Sequence, residues 1–306
     1  MNVLVTGGTG FIGKEICNKL LQKGHTIVLL TRINDKIRTD LQKPGISFFP
    51  YEYAKDSELP LVLMEKIDGI INMAGEPIFA GRWTAEKKKR ILDSRINITR
   101  QLVESITNLK GKKPRVLVSA SAVGYYGSRN DEEINEDDLP GSDFLAQVCI
   151  RWEEEALKAT ALGVRTVTLR TGIVVDKGGG ALSQMVPPFK YFVGGTLGSG
   201  EQWFSWIHRD DMTNLYVFAL ENDRLSGPVN ATSPNPVKMS EVSATLGKVL
   251  HRPSWFPIPA FLAKAIMGES AEVVVTGQKV IPQKLIQAKF PYKYPSILKA
   301  LQDSLG

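Results

Sequence analysis

Three glycines, Gly7, Gly10 and Gly13, recur at intervals of three directly after the apolar run Asn2–Thr6. Glycines so spaced suit one kind of chemistry, the holding of a diphosphate. The first permits a sharp turn out of a strand, the second lets main-chain N–H groups approach the phosphates, and the third lets the following helix press on the strand. A helix opening from that turn aims its positive end at the anion. In isolation the triplet would also read as a plain turn, so the flanking elements decide. The run before it is short, apolar and β-branched, and residues 10–23 after it place Ile12, Ile16, Leu20 and Leu21 on one helical face.

Gly24 ends that helix, and residues 26–31 (TIVLLT) form a second strand. The residue at the end of this strand selects among dinucleotides, because an Asp or Glu there holds a ribose 2′-hydroxyl and repels a 2′-phosphate. This chain has Thr31 and Arg32 instead. A guanidinium takes a phosphate bidentately, and a charge-assisted hydrogen bond contributes about 1.5–3 kcal/mol, on the order of 10- to 100-fold in affinity. The pattern predicts NADP(H) over NAD(H); the other reading of Arg32 is a solvated strand-end charge beside Asp35.

The elements that must position these groups follow in order. After Arg32 comes a polar, partly helical stretch to Lys43, then a third strand at 46–49. Tyr51 and Lys55 spell Y-x-x-x-K, but they follow the third strand, whereas a catalytic pair of that kind needs a helix beside the fifth. A fourth strand, 69–74, closes with Asn72, Met73, Ala74 and Gly75, small residues that leave room for a flat ligand at the carboxyl end. Residues 83–108 read as a long helix, with a solvated basic run at 87–90. Arg95, midway along it, reads equally as a cofactor contact or an exposed charge.

A fifth strand at 115–121 runs into AVGYYG. Six acids within 131–138 read as a solvated loop, and a helix at 143–162 carries Glu153, Glu154 and Glu155 on its polar side. A sixth strand occupies 165–171. Strand and helix alternate through residue 175, which predicts an α/β, doubly wound parallel sheet over residues 1–175. Residues 176–306, rich in Gly, Pro and Trp, form a smaller, mostly helical lobe, with strand-like 204–208 and 227–231 returning to the main sheet.

At 306 residues, 43% hydrophobic and 23% charged, the chain can bury a full core and a second lobe. No segment approaches the length of uncharged apolar sequence that spans a bilayer, so no membrane partner is expected. Structure beginning at residue 2 leaves no room for a leader, and a cytoplasmic location is expected. Cys17 and Cys149 read as buried small hydrophobes in a reducing compartment. His25, His208 and His251 lack ligand spacing, so no metal is expected. The net charge of +6 is spread along the chain, which argues against nucleic acid. Nothing marks an oligomeric interface.

The stretches TGGTGFIG (6–13), NMAGEPI (72–78), SRI (94–96), SASAVGYYG (119–127), DFLAQVCIRWE (143–153), LRTGIVV (169–175), GSGEQWFSWIHRDD (198–211), NATSPNPV (230–237) and VIPQKL (280–285), with RW near 82, span almost the whole chain. They resemble the extended short-chain dehydrogenase/reductases, within them the NAD(P)-dependent epimerase/dehydratase group, and most closely its "epimerase family protein" or cell-division-inhibitor-like branch. The resemblance implies a Rossmann-type domain binding NADP(H), with a small-molecule substrate in the cleft completed by the C-terminal lobe. By motif, cofactor contacts fall on Gly7, Thr9, Gly10, Phe11, Ile12 and Gly13. Thr31 and Arg32 face the adenosine phosphate, Met73, Ala74 and Gly75 the middle of the cofactor, Arg95 a phosphate or ribose, and Val174 the nicotinamide side.

Typical members of that group use a Ser, a Tyr and a Lys. Ser121 stands at the serine place, but the segment that should read Y-x-x-x-K begins with Phe144 and ends with Val148. Loss of a general acid lowers rates typically 10²- to 10⁴-fold. Two readings follow. One is an oxidoreductase or epimerase-like enzyme whose proton comes from Tyr125, Tyr126 or His208, beside Ser121. The other is a non-catalytic NADP(H)-binding sensor or partner-binding module.

Overall fold

Short uncharged runs become buried strands, and their alternation sorts side chains to two faces. The computed structural model describes residues 1–32, 41–53, 59–79, 81–259, 261 and 268–306. Its strands are β1 (Asn2–Thr6), β2 (Thr26–Thr31), β3 (Ile46–Pro50), β4 (Gly69–Asn72), β5 (Val116–Ala122), β6 (Glu133–Ile134), β7 (Arg165–Thr171), β8 (Ile173–Val175), β9 (Trp203–Phe204), β10 (Trp206–His208), β11 (Gly227–Ala231), β12 (Val237–Lys238) and β13 (Lys279–Val280). Seven form one sheet in the order β3-β2-β1-β4-β5-β7-β11. Every neighbouring pair in it is parallel.

The main helices are α1 (Gly13–Gln22), α2 (Leu61–Met64), α3 (Ala85–Thr107), α4 (Phe144–Leu157), α5 (Leu182–Lys190), α6 (Arg209–Glu221) and α7 (Met239–Leu250). Thr84 and Asp143 start α3 and α4 by accepting the N–H of Lys87 and of Ala146. Val3, Val5 and Val118 point to one face and pack with Ile16, Leu20, Leu215 and Ala219 of α1 and α6. Leu4, Ile70 and Leu117 point to the other and pack with Ile98 and Leu102 of α3 and Ala156 of α4. The α/β, doubly wound sheet expected from the alternation is therefore present, covered on both faces. A third core around Phe204, Trp206, Val242, Leu246 and Leu301 joins α5, α7 and the C-terminal helix Ile297–Leu305.

Several local expectations need correction. Of the two segments expected to return to the sheet, only β11 does. The chain bends out of the sheet after β7, where Ile173 N–H donates to the Ser205 carbonyl, so β8 pairs with β10 and β9 with β12. The acidic stretch 131–138 is only partly solvated. Its β6 pairs with β13, and buried Glu136 accepts the N–H groups of Asn230 and Lys284. Glu153 and Glu155 are buried, and so is Lys87, which pairs with Glu76 at 2.6 Å. Tyr51 is buried too and donates to Gln101. Lys55, Asp35 and the expected helical stretch over 33–40 lie outside the described residues. Among the described residues no helix is long and apolar enough to cross a membrane.

Candidate functional site

At the carboxyl edge of the sheet the chain turns sharply out of β1. Gly7 has φ +71°, and a Cβ there would stand 2.8 Å from the Met73 carbonyl carbon. A Cβ on Gly13 would stand 2.3 Å from the Gly7 oxygen. The turn is closed by Gly10 N–H donating to that same oxygen at 3.1 Å. Among the described residues no side chain caps α1. The N–H groups of Phe11, Ile12 and Gly13 consequently have no acceptor among the described residues, and Thr9 and Gly10 lie at the surface beside them. Strand order reverses at β1, which has β2 on one side and β4 on the other. This is the switch point at which open α/β sheets bind ligands.

Buried polar groups fix the neighbouring strand end. The Thr6 hydroxyl donates to Asn72 Oδ1 and accepts the N–H groups of Met73 and Ala74, both at 3.0 Å. Asn72 in turn donates to Thr99 on α3 and to Ser119 on β5. Ser94 accepts the N–H of Glu76 while Arg95 donates to its carbonyl, so α3 holds the segment after Gly75 from below. Arg95 lies 3.0 Å from where a Gly75 Cβ would be and 5.1 Å from the Trp152 ring centroid. Burial pushes its pKa down, and it is not an exposed helix charge. Thr31 is buried at the end of β2, and Arg32 next to it is exposed and within electrostatic reach of Glu76. Met73 and Ala74 are half-buried and Gly75 is exposed, leaving this edge open.

Beyond β5 the expected acid candidates separate. Ser121 is buried and donates to Glu153 Oε1 at 2.6 Å. Arg170 meets the same carboxylate bidentately, with both bonds at 2.9 Å. Burial works against the Arg170 charge, and Glu153 more than reverses this, holding the guanidinium above its usual range. Tyr126 has no exposed surface. It accepts from Arg170 and donates to Asn230, and burial drives its phenol upward. Tyr125 is half-buried with Arg170 stacked 3.4 Å from its ring centroid, and its hydroxyl has no hydrogen-bond partner among the described residues. His208, 1% exposed, caps α6 by accepting the Asp210 N–H and stacks on Tyr294. It is remote in role from Ser121. Cys17 and Cys149 are buried thiols, each pushed up to about 12 by burial.

Residues 3–231 match the family described as NAD dependent epimerase/dehydratase. The chain belongs to that family. Residues 258–304 match a second domain described only as of unknown function. Among relatives, this epimerase/dehydratase chain is 45% identical to the chloroplastic SDR39U1 homolog, an epimerase family protein of Arabidopsis thaliana, over 99% of itself and 86% of the relative. It is 39% identical to the epimerase family protein YfhF of Bacillus subtilis, covering 100% of itself and 98% of YfhF. Its fold matches the human epimerase family protein SDR39U1, isoform 2, solved with NADPH. That match has a TM-score of 0.86 at 31% identity and covers 100% of this chain and 99% of that one.

Within the epimerase/dehydratase frame, the helix that begins at Phe144 carries no acid/base side chain at the two expected positions. Phe144 packs edge-on against Trp83 at 5.5 Å, and Val148 is buried. Val174 lies in β8 opposite Ile207, half-buried. Two groups escaped the sequence reading. The Glu153–Arg170 pair did so because carboxylates on a helix read as solvent-facing. Arg209 did so because nothing local sets it apart. Its guanidinium stacks 4.9 Å from the Phe11 ring of the glycine turn and pairs with Asp176 at 2.5 Å, while its buried Nε has no partner among the described residues.

Proposed function

We propose that this chain binds NADP(H) across the carboxyl edge of its sheet and acts as an oxidoreductase on a small molecule held between residues 1–175 and residues 176–306. One observation carries the reading. Three main-chain N–H groups without acceptors among the described residues stand over a turn in which Gly7 and Gly13 have no room for a side chain, at the switch point of a parallel sheet. Gly7, Thr9, Gly10, Phe11, Ile12 and Gly13 would hold the diphosphate, with Arg209 adding a cation beside them. Thr31 and Arg32 would take the 2′-phosphate, Met73, Ala74 and Gly75 would lie along the ribose, and Val174 would border the nicotinamide. Arg95 acts from beneath by fixing the Gly75 segment. The human relative's complex with NADPH agrees in cofactor type.

When bound, the nucleotide supplies or accepts a hydride. The protein must then orient the substrate and give a proton. Of the four candidates, Tyr125 is the one whose hydroxyl is left for a substrate; Tyr126 and His208 are occupied structurally, and Ser121 is turned toward Glu153. NADPH absorbance followed against nucleotide sugars, ketones and aldehydes tests this. Turnover with one class, lowered about 10²- to 10⁴-fold by Tyr125→Phe, is expected.

The second reading, a nucleotide-binding module without turnover, is favoured by Phe144 and Val148 alone. It takes over if NADPH binds tightly and no substrate class is turned over. Two buried free thiols suit a reducing compartment such as the cytoplasm.

A further inference from the structure

Residues 182–200 and 242–261 contain Lys190, Lys248, His251 and Arg252 and no Asp or Glu, where the chain's average would put about four acids. Far apart in sequence, the two segments form one surface. Phe256 N–H donates to the Gly194 carbonyl at 3.2 Å and Ile258 N–H to Thr196 at 2.8 Å, and Gly198 N–H returns to Ile258 at 2.9 Å. Arg252 stacks 4.6 Å from the Phe192 ring centroid.

Large apolar side chains stand out from this surface: Tyr191 is 79% exposed, Trp255 77%, Phe192 57%, Phe256 55% and Val193 48%. The core beneath is not short of material, because Val186, Phe189, Val242 and Leu246 fill it from α5 and α7. Phe192 is held at φ +64°, a conformation unfavourable for a side chain of its size. On the same segment opens a shallow basin of about 530 Å³ walled by Ala244, Gly247, Lys248, His251, Arg252 and Ser254.

The exposed aromatics have Lys248, His251 and Arg252 beside them, and acids only at the edge, where exposed Glu201 and Glu241 flank the two segments. This arrangement matches the interfacial zone of a bilayer, where aromatic rings sit at headgroup level and cations meet lipid phosphates. A second copy of this chain fits poorly, since a two-fold contact would set the same cations against one another. We propose that this face docks on an anionic phospholipid surface. Trp255, Phe256, Tyr191 and Phe192 enter the headgroup layer, and Lys248, His251 and Arg252 hold lipid phosphates in the basin. The contact is peripheral and does not depend on nucleotide.

The full chain is sedimented with vesicles of phosphatidylcholine and with vesicles containing phosphatidylglycerol. Binding to the phosphatidylglycerol vesicles, weak binding to the neutral ones and release by salt are expected. Lys248→Gln with Arg252→Gln should lower the partition coefficient about 25-fold, at about fivefold per charge. Trp255→Ser with Phe256→Ser should abolish binding, and Tyr191→Ser should weaken it from the other segment should that pair fail to fold. Absence of sedimentation with phosphatidylglycerol vesicles, or binding indifferent to all of these substitutions, would overturn the proposal. So would a concentration-dependent dimer that disappears in the Trp255 pair without any vesicle binding.

Discussion

Tyr125 and Tyr126 are neighbours in the chain and opposites in what their hydroxyls meet. One keeps its hydroxyl without a partner among the described residues; the other is locked between Arg170 and Asn230. The same network yields a stability prediction. The Glu153–Arg170 pair has side chains only 5% and 3% exposed, so removing one charge strands the other. Glu153→Gln should lower the free energy of unfolding in urea by about 3–5 kcal/mol. A loss below about 1 kcal/mol, the worth of a surface pair, would contradict the burial. The turn at Gly7 and the strand end before Arg32 were legible in the sequence because both are local. Glu153 was not, because its partners Ser121 and Arg170 are 32 and 17 residues away and only the fold brings them to it.

Among the elements, α6 shows how a residue of catalytic type comes to do structural work. His208 caps it, while Asp211 at its start accepts the N–H groups of Lys293 and Tyr294, tying the C-terminal segment to the same turn. Burial holds the His208 imidazole below its ordinary value of 6.5, with Asp210, Asp176, Asp303 and Asp211 acting in the opposite direction. The unfolded chain therefore takes up a proton that the folded chain resists. The resulting stability is complete above about pH 6.5 and is lost as the pH falls from there toward the depressed folded value. Asn also caps helices. The melting temperature of the native chain should consequently fall further than that of His208→Asn between about pH 7 and pH 5. Parallel curves would show that His208 carries no such penalty. Element periodicity was well legible: residues 26–31 and 165–171 are strands with the expected bounds. Pairing was less so, since β9 and β10 have strand-like composition and only the bend after β7 sends them to other partners.

For the molecule as a whole, seven parallel strands share one carboxyl edge, and the turn at residue 7, Arg32, the loop at 73–75 and Ser121 all lie at or next to strand ends there. That common edge was readable in advance because strand–helix alternation fixes it. What the second lobe binds was not readable, since loops and short helices carry no periodic signal of their own. The central claim is the nucleotide itself, and calorimetric titration of the purified full chain with NADPH and with NADH tests it most directly. NADPH should bind about 10- to 100-fold more tightly, and Arg32→Ala should remove most of that preference while leaving NADH affinity little changed. Equal affinities, or heat from neither nucleotide, would contradict the account.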